Sequence, residues 1–395
     1  MAGPAVGYDF TDADLDFMHS EVGIEALDAA DCLEFGTRTA VRDISSIRER
    51  FPAHAGALIE TVTVRRKARV KLLDSDRWWV TDEAVQQATP TLVARRRAAR
   101  LAGRRVHDVT CSIGSELSVL IGTAELAVGS DLDPIRLRMA AHNVPDATVL
   151  RADALTPTTR DTVVVADPGR RAGGRRRHDP AALQPPLPDL LDAYRGRDLV
   201  VKCAPGLDFD SVDWAGEVEV VSLDGGVREA CLWSEGLSEN GVRRRAAVLR
   251  SDGSVFEITD SESDDIPVRP PGSYIVDPDG AVVRAGLVRH YGARFGLWQL
   301  DPRIAYLTGD TIPAGVRGFR ILEQAKFSEK VLRQQLNRMD CGSVEILVRG
   351  VDVDPALLRP KLKLRGSVAL SVVIARVDRS AVAFVCAPGA VGQPV

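Results

Sequence analysis

Val106-His107-Asp108-Val109-Thr110-Cys111-Ser112-Ile113-Gly114-Ser115-Glu116 is the stretch that decides the fold. A short apolar run closes on an acid, a turn of small residues follows, and helix-forming residues come next, so the stretch reads as strand, tight turn and helix. Three later segments end alike: Val128-Gly129-Ser130-Asp131-Leu132-Asp133-Pro134, Val149-Leu150-Arg151-Ala152-Asp153-Ala154 and Val163-Val164-Val165-Ala166-Asp167-Pro168. In a parallel sheet these strand-closing acids share one edge, where open α/β sheets bind their ligands. The pattern predicts one cofactor of nucleotide size at that edge.

Outward from this stretch, strand and helix alternate from about Arg105 to Ser251. Strands are expected over Val106 to Thr110, Ala124 to Asp131, Ala147 to Arg151, Thr162 to Asp167 and Asp198 to Cys203. Helices are expected over Glu116 to Gly122, Pro134 to Asn143 and Ala181 to Tyr194. Val218 to Leu223 and Val227 to Trp233, flanking Asp224-Gly225-Gly226, read as a β-hairpin. Upstream, Leu15, Phe17, Met18, Val22, Ile24 and Leu27 recur at helical spacing behind Thr11 and Asp12 as caps, and Thr91 to Ala102 forms a helix with Pro90 in its first turn. Trp78 and Trp79 fit packing of a helical layer better than base stacking. Residues 252 to 315 carry turn signals and an acidic run, Asp260 to Asp265, that reads as solvated loop. From Gly318 the order is strand Phe319 to Glu323, helix Ser328 to Met339, strand Ser343 to Arg349, helix Pro355 to Leu362, and strands Val368 to Arg376 and Ala381 to Cys386. The expected organisation is a helical domain over 1–85, an α/β domain over 86–250, a connector with short strands and helices over 251–316 and an α+β domain over 317–390.

A chain of 395 residues exceeds what one core usually holds, and 45% hydrophobic with 27% charged residues excludes a disordered protein. No apolar run approaches the roughly 18 to 20 residues that cross a bilayer, and Met1-Ala2-Gly3-Pro4 lacks the basic start and apolar core of a leader. A cytoplasmic protein is the expectation. The cysteines at 32, 111, 203, 231, 341 and 386 form no Cys-x-x-Cys and have no histidine partners at ligand spacing, so reduced thiols and no metal are expected. His107 and His178 are isolated and receive no role.

Charge is segregated. Residues 1–60 carry 12 acids against 4 bases, residues 61–105 carry 12 bases against 4 acids, and residues 317–379 carry 13 bases against 7 acids. Local basic patches on an acidic chain suit a polyanion. Arg95, Arg96, Arg97 and Arg100 cannot all face one groove, which leaves that helix divided between a solvated face and a binding face.

The site residues follow from what an adenosine-containing cofactor needs. The turn Thr110 to Ser115 lets backbone approach its charged end, Asp131 accepts from ribose hydroxyls, and Asp153 accepts from an adenine amino group. With Asp108, Asp131, Asp153 and Asp167-Pro168 in this order, residues 86–250 resemble the class I S-adenosylmethionine-dependent methyltransferases. Asp108-Val109-Thr110-Cys111-Ser112-Ile113-Gly114 stands where that family has Asp-x-Gly-x-Gly-x-Gly. The endings Leu347-Val348-Arg349-Gly350 and Leu358-Arg359-Pro360-Lys361-Leu362-Lys363-Leu364-Arg365-Gly366 extend the resemblance to bacterial members with a THUMP-like C-terminal domain.

The resemblance implies a Rossmann-like methyltransferase sheet between an N-terminal helical domain and a C-terminal α+β THUMP-like domain. It implies S-adenosyl-L-methionine as cofactor, bound by Asp108, Thr110, Cys111, Ser112, Gly114, Asp131, Leu132, Asp153 and Ala154. Asp167 and Pro168 are the expected catalytic residues. An RNA substrate, with a base of tRNA or rRNA as acceptor, is expected to be held by Arg170, Arg171, Arg175, Arg176, Arg177, Lys202, Arg359, Lys361, Lys363 and Arg365, with Lys326, Lys330 and Arg333 nearby. Lys202 also reads as a salt-bridge partner at its strand end, a structural reading that stands slightly ahead of the contact. Two departures matter. Thr110 and Ser112 replace glycines, and Asp167-Pro168-Gly169-Arg170 lacks the aromatic that stacks a target base in amino-methylating enzymes. Cys203 follows the fifth strand, where a carbon-5 methylating thiolate stands in related enzymes, but a core thiol is the reading preferred. Two alternatives stay open: an RNA-binding protein that has lost the cofactor, and a methyltransferase for a protein or small molecule.

Overall fold

The structure, a computed structural model, describes residues 7–170, 183–209 and 212–392, without the side chain of Arg170. It divides into two compact units, Met1–Glu217 with Arg228–Ser238 and Val218–Val227 with Glu239–Val395.

The first unit opens with helices α1 (Asp12–His19), α2 (Glu21–Asp31), α3 (Ala40–Arg50), α4 (Ala55–Ala68), α5 (Asp82–Gln87) and α6 (Thr91–Arg100). Thr11 starts α1 through a reciprocal capping box with Asp14, and Ser20 and Thr81 cap α2 and α5. Leu15, Met18, Leu58, Val62 and Trp79 form one core with Ile113 and Met139, so this helical layer packs directly on the elements that follow. Trp78 and Trp79 are both buried.

Next along the chain come β1 (Arg105–Asp108), α7 (Leu117–Leu120), β2 (Leu126–Asp131), α8 (Pro134–Asn143), β3 (Thr148–Arg151), β4 (Val163–Ala166), β5 (Gly169–Arg170), β6 (Leu183–Gln184), α9 (Leu187–Ala193), β7 (Leu199–Cys203), β8 (Glu217–Leu223) and β9 (Gly226–Trp233), of which β8 beyond Glu217 belongs to the second unit. Within the unit the strand order is β9-β7-β4-β1-β2-β3, parallel except for β9, which runs antiparallel to β7. Asp108 pairs with Gly129 on one side and Val165 on the other, so Asp108, Asp131 and Asp167 all lie at one edge. Gly129 permits this edge to be covered: a Cβ there would stand 2.4 Å from Leu117 Cδ1 and 3.0 Å from Cys111. Asp133 caps α8, its Oδ1 accepting from the Ile135 and Arg136 amides, and Pro134 fills the first turn. Asp224 and Gly225, both at positive φ, make the turn from β8 to β9.

The helix expected over Ala181 to Tyr194 needs correction. Residues 181 and 182 lie outside the described residues, Leu183–Gln184 is a strand paired with β5, and the helix starts only at Leu187. Pro185 and Pro186 offer no amide hydrogen to a helix, so α9 begins after them.

The second unit holds β10 (Arg244–Leu249), parallel to β8, and β11 (Val255–Thr259), antiparallel to β10. It continues through β12 (Tyr274–Val276), α10 (Gly280–Arg284), α11 (Val288–Phe295), β13 (Trp298–Gln299), β14 (Leu307–Gly309), β15 (Arg317–Lys326), α12 (Glu329–Arg338), β16 (Cys341–Arg349), α13 (Pro355–Leu362), β17 (Val368–Val377), β18 (Ser380–Cys386) and β19 (Ala390–Val391). Here the order is β13-β14-β12-β15-β18-β17-β16, with β19 on β15. Strand alternation divides the core in two. Val372 and Ile374 of β17 pack with Leu332, Leu336, Leu358 and Leu362 of the helices, while Val373 and Ala375 pack with Ile275, Tyr306 and Phe319.

Candidate active site

The edge of the first unit's sheet opens into a cavity of about 680 Å³. Its floor is the turn after β1. There the Ser112 amide donates to Asp131 Oδ2 and the Asp133 amide to Asp131 Oδ1, both at 3.0 Å, so one carboxylate fixes two turns and still faces the cavity. Thr110, at a family glycine position, has work of its own: the Asp167 amide donates to its Oγ1 at 2.7 Å and ties the β4 loop to the β1 turn. Ser112 takes a left-handed φ of 48°, where glycine is favoured, and Arg136 reaches its Oγ at 3.4 Å. Gly114, at φ 87°, completes the turn.

The electrostatics are uneven. Asp108 is 3% exposed; burial pushes its carboxyl up to about 8, Glu116 adds to the shift, and the Thr110 amide opposes it. On the wall opposite the β2 end, Lys202 Nζ lies 2.5 Å from Asp167 Oδ2 and donates to the Gln87 carbonyl at 3.4 Å. Burial works against this ammonium, but Asp167 and Glu229 outweigh it and hold its pKa above the usual lysine value. Arg97 grips both Glu116 oxygens, at 2.8 and 2.9 Å, and pairs with Glu229. Burial would raise Glu229, yet Arg97 and Lys202 hold it below the usual range. Burial and Lys202 together pull Lys71 down to about 8; its ammonium donates to the carbonyls of Val85 and Gln86 at 2.8 Å.

The cavity gathers Asp108, Thr110, Cys111, Ser112, Asp131, Leu132, Asp153, Ala154, Asp167 and Lys202 from the residues that sequence singles out. Gly114 and Pro168 are not among its lining residues. Arg171, Arg175, Arg176 and Arg177 lie outside the described residues, as does the side chain of Arg170. Arg359, Lys361, Lys363 and Arg365 are exposed on the second unit. Sequence reading missed Glu83, Arg97, Glu116, Arg136 and the Gln184-Pro185-Pro186 wall. Arg136 had a signal, since it stands in the first turn of a helix already legible from Asp133-Pro134; Arg97 and Glu116 had none. Cys203 is buried, does not line the cavity, and its thiol is pushed up to about 12 by burial.

Residues 316–388 match the THUMP domain-like family. Two sequences from Mycobacterium tuberculosis, strains H37Rv and CDC 1551, each described as an uncharacterized S-adenosylmethionine-dependent methyltransferase, are 57% identical over 359 residues, covering 87% of this chain and 99% of theirs. The chain belongs to the S-adenosylmethionine-dependent methyltransferases. A crystal structure from Porphyromonas gingivalis W83, provisionally assigned as a methyltransferase, shares the fold over 96% of this chain and 99% of that one, with a TM-score of 0.74 at 18% identity.

S-adenosylmethionine is therefore the cofactor of this methyltransferase, and the cavity fits it. The volume falls within the roughly 300 to 1,000 Å³ of small-ligand sites. Glu83, Asp108, Glu116, Asp131, Asp133, Asp153 and Asp167 face it against Arg97, Arg136 and Lys202, an acidic lining for a ligand that carries a sulfonium and an ammonium. Among the described residues no cluster of His, Cys, Asp or Glu could hold a metal ion, and no helix is long and apolar enough to cross a membrane.

Proposed function

We propose that this methyltransferase acts in the cytoplasm on RNA, of the tRNA or rRNA class. The observation that carries RNA is the THUMP-like region 316–388, whose exposed cations include Lys326, Lys330, Arg359, Lys361, Lys363 and Arg365. Cations spread over a rigid α+β unit grip a phosphate backbone without reading sequence.

In this reading Asp131 and Leu132 hold the ribose of the cofactor, Asp153 and Ala154 its adenine, and Asp108 with the Thr110 to Gly114 turn its methionine end. The Leu155 amide donates to Asp153 Oδ1 at 2.9 Å, which leaves the other oxygen to an amino group. Bound S-adenosylmethionine supplies a methyl already made electrophilic by its positive sulfur. The chain aligns the acceptor with it. Thr110 does so by fixing the Asp167 backbone, and Lys202 by fixing the Asp167 carboxylate.

The test is transfer of labelled methyl to RNA from a strain lacking the gene, beside protein and metabolite fractions and an Asp131→Ala control. Label in RNA that the control lacks supports the reading. Label confined to protein or metabolites sinks it and favours the alternative substrate classes.

A further inference from the structure

Three observations around Asp167 bear on which atom receives the methyl. An ammonium and a carboxylate are fixed side by side on the cavity wall, Lys202 Nζ lying 2.5 Å from Asp167 Oδ2. None of the described residues lining the cavity is Phe, Tyr, Trp or His, the aromatic side chains on which enzymes that swing out a base commonly stack it beside hydrogen bonds to its edge. Carbon-5 methylation of a pyrimidine needs a thiolate, and neither thiol near the site is poised to be one. Cys203 is 5% exposed and outside the lining; Cys111 lines the cavity but is buried beside Asp108 and Asp131, and burial and these acids push its thiol far up.

We propose that Asp167 and Lys202 are a catalytic pair for methylation of a hydroxyl oxygen, the 2′-hydroxyl of a ribose; this rests on the RNA reading above. A ribose hydroxyl keeps its proton at neutral pH and becomes a good nucleophile only as that proton leaves. Lys202 stabilises the negative charge growing on the oxygen, and Asp167 takes the proton. The oxygen–carbon bond forms as the carbon–sulfur bond breaks, and the electron pair of the broken bond stays on sulfur. The products are a methyl ether, a neutral thioether and one proton, which Asp167 passes to solvent. Lys202 serves as a cation and not as the base, because Asp167 and Glu229 keep it protonated. Glu229 and Arg97 stand behind it as positioning residues.

Alkaline digestion of the labelled RNA gives the deciding readout on the unaltered enzyme. A 2′-O-methyl group removes the hydroxyl that attacks the neighbouring phosphodiester, so label in alkali-stable dinucleotides supports the proposal. Label in mononucleotides means a base acceptor and overturns it with the RNA reading intact; label absent from RNA but present in protein or metabolites overturns both. Lys202→Met should lower kcat by about 10²-fold or more and give a rate that climbs with pH from 7 to 9, with partial rescue by Lys202→Arg. A full rate with an unchanged pH profile would overturn the pair. A third readout needs no turnover: in the cofactor-free protein, acetic anhydride at neutral pH should modify Lys202 several-fold faster in Asp167→Asn than in the parent, and equal rates would mean that the two groups are not held together.

Discussion

Helix α6 and the segment of α13 that runs on to Arg365 look alike in sequence, each a basic run, and the structure uses them in opposite ways. In α6 Arg97 and Arg100 turn toward acids of the fold, while Arg95 stays exposed. Arg97 is 3% exposed between Glu116 and Glu229, and Arg100 pairs with Glu217 at 2.7 Å while its guanidinium lies 3.7 Å over the Trp233 ring. Around α13, Arg359, Lys361, Lys363 and Arg365 stay exposed, and Lys361 meets Glu329 at 2.7 Å. What separates them is the supply of acids from elsewhere in the chain. Glu217 and Glu229 come to α6 from more than 100 residues away, and being buried they need a charged partner there. A basic run therefore signals a polyanion only when the fold leaves it unmatched.

The contrast can be broken most forcefully at Arg97. Arg97→Met leaves two buried acids facing each other and should cost about 3 to 5 kcal/mol, read as a fall in the denaturant midpoint. Arg359→Ala should stay within about 0.5 kcal/mol of the parent. If both variants unfold alike, the distinction between inward and outward arginines fails. In the other direction, replacing Arg359, Lys361, Lys363 and Arg365 together by Ala should leave the midpoint in place. RNA affinity should fall and the slope of log affinity against log salt should flatten by up to about 3, at about 0.7 for each single-strand phosphate contact. Undiminished affinity would move RNA binding off this surface.

A smaller effect tests the acidic side of the cavity. Because the Asp108 pKa is raised, its neutral form is favoured in the folded protein, so the stability it contributes is full below about pH 4 and is lost as pH rises through about 8. Cofactor affinity should run the opposite way, rising between pH 6 and 8 as the carboxylate forms to meet a cationic ligand, then levelling. Calorimetric titration across this range, with Asp108→Asn as a flat control, checks both signs. The least effect is expected at Ser112, where Ser112→Gly relieves a left-handed serine but loosens the unfolded chain. Thermal melts should place it within about 1 kcal/mol of the parent.

Much of the fold was legible because its signals are local. Asp133-Pro134 marks the start of α8 and Asp354-Pro355 that of α13, in both cases an Asp cap with Pro in the first turn. The acids at the ends of β1, β2 and β4 placed the cavity from sequence alone. What stayed hidden depends on contacts between distant segments. Nothing near Arg97 announces Glu229, and the Lys202 to Asp167 pair joins the ends of two strands whose adjacency only the sheet order reveals. The β5–β6 ribbon is also hidden, since strands of two residues carry no periodicity. Thr110 is the instructive case. As a departure from glycine it looked like a weakness, yet its hydroxyl is what binds the β4 loop to the β1 turn.

One side chain has a consequence for anyone who would trim or transplant this enzyme. Asn143, at the end of α8, accepts from the Trp79 amide at 2.7 Å and donates to the carbonyls of Trp79 and Ile113 at 3.0 and 2.9 Å. A single amide thus clasps the N-terminal helical layer and the turn after β1 together, while Glu83 and Ala84 of α5 form part of the cavity wall. A fragment starting at residue 86 would strand those partners and open the wall. The helical layer and the sheet share one packed core, so recombination with other methyltransferases should succeed only at joints that keep Trp79 and Asn143 on the same parent.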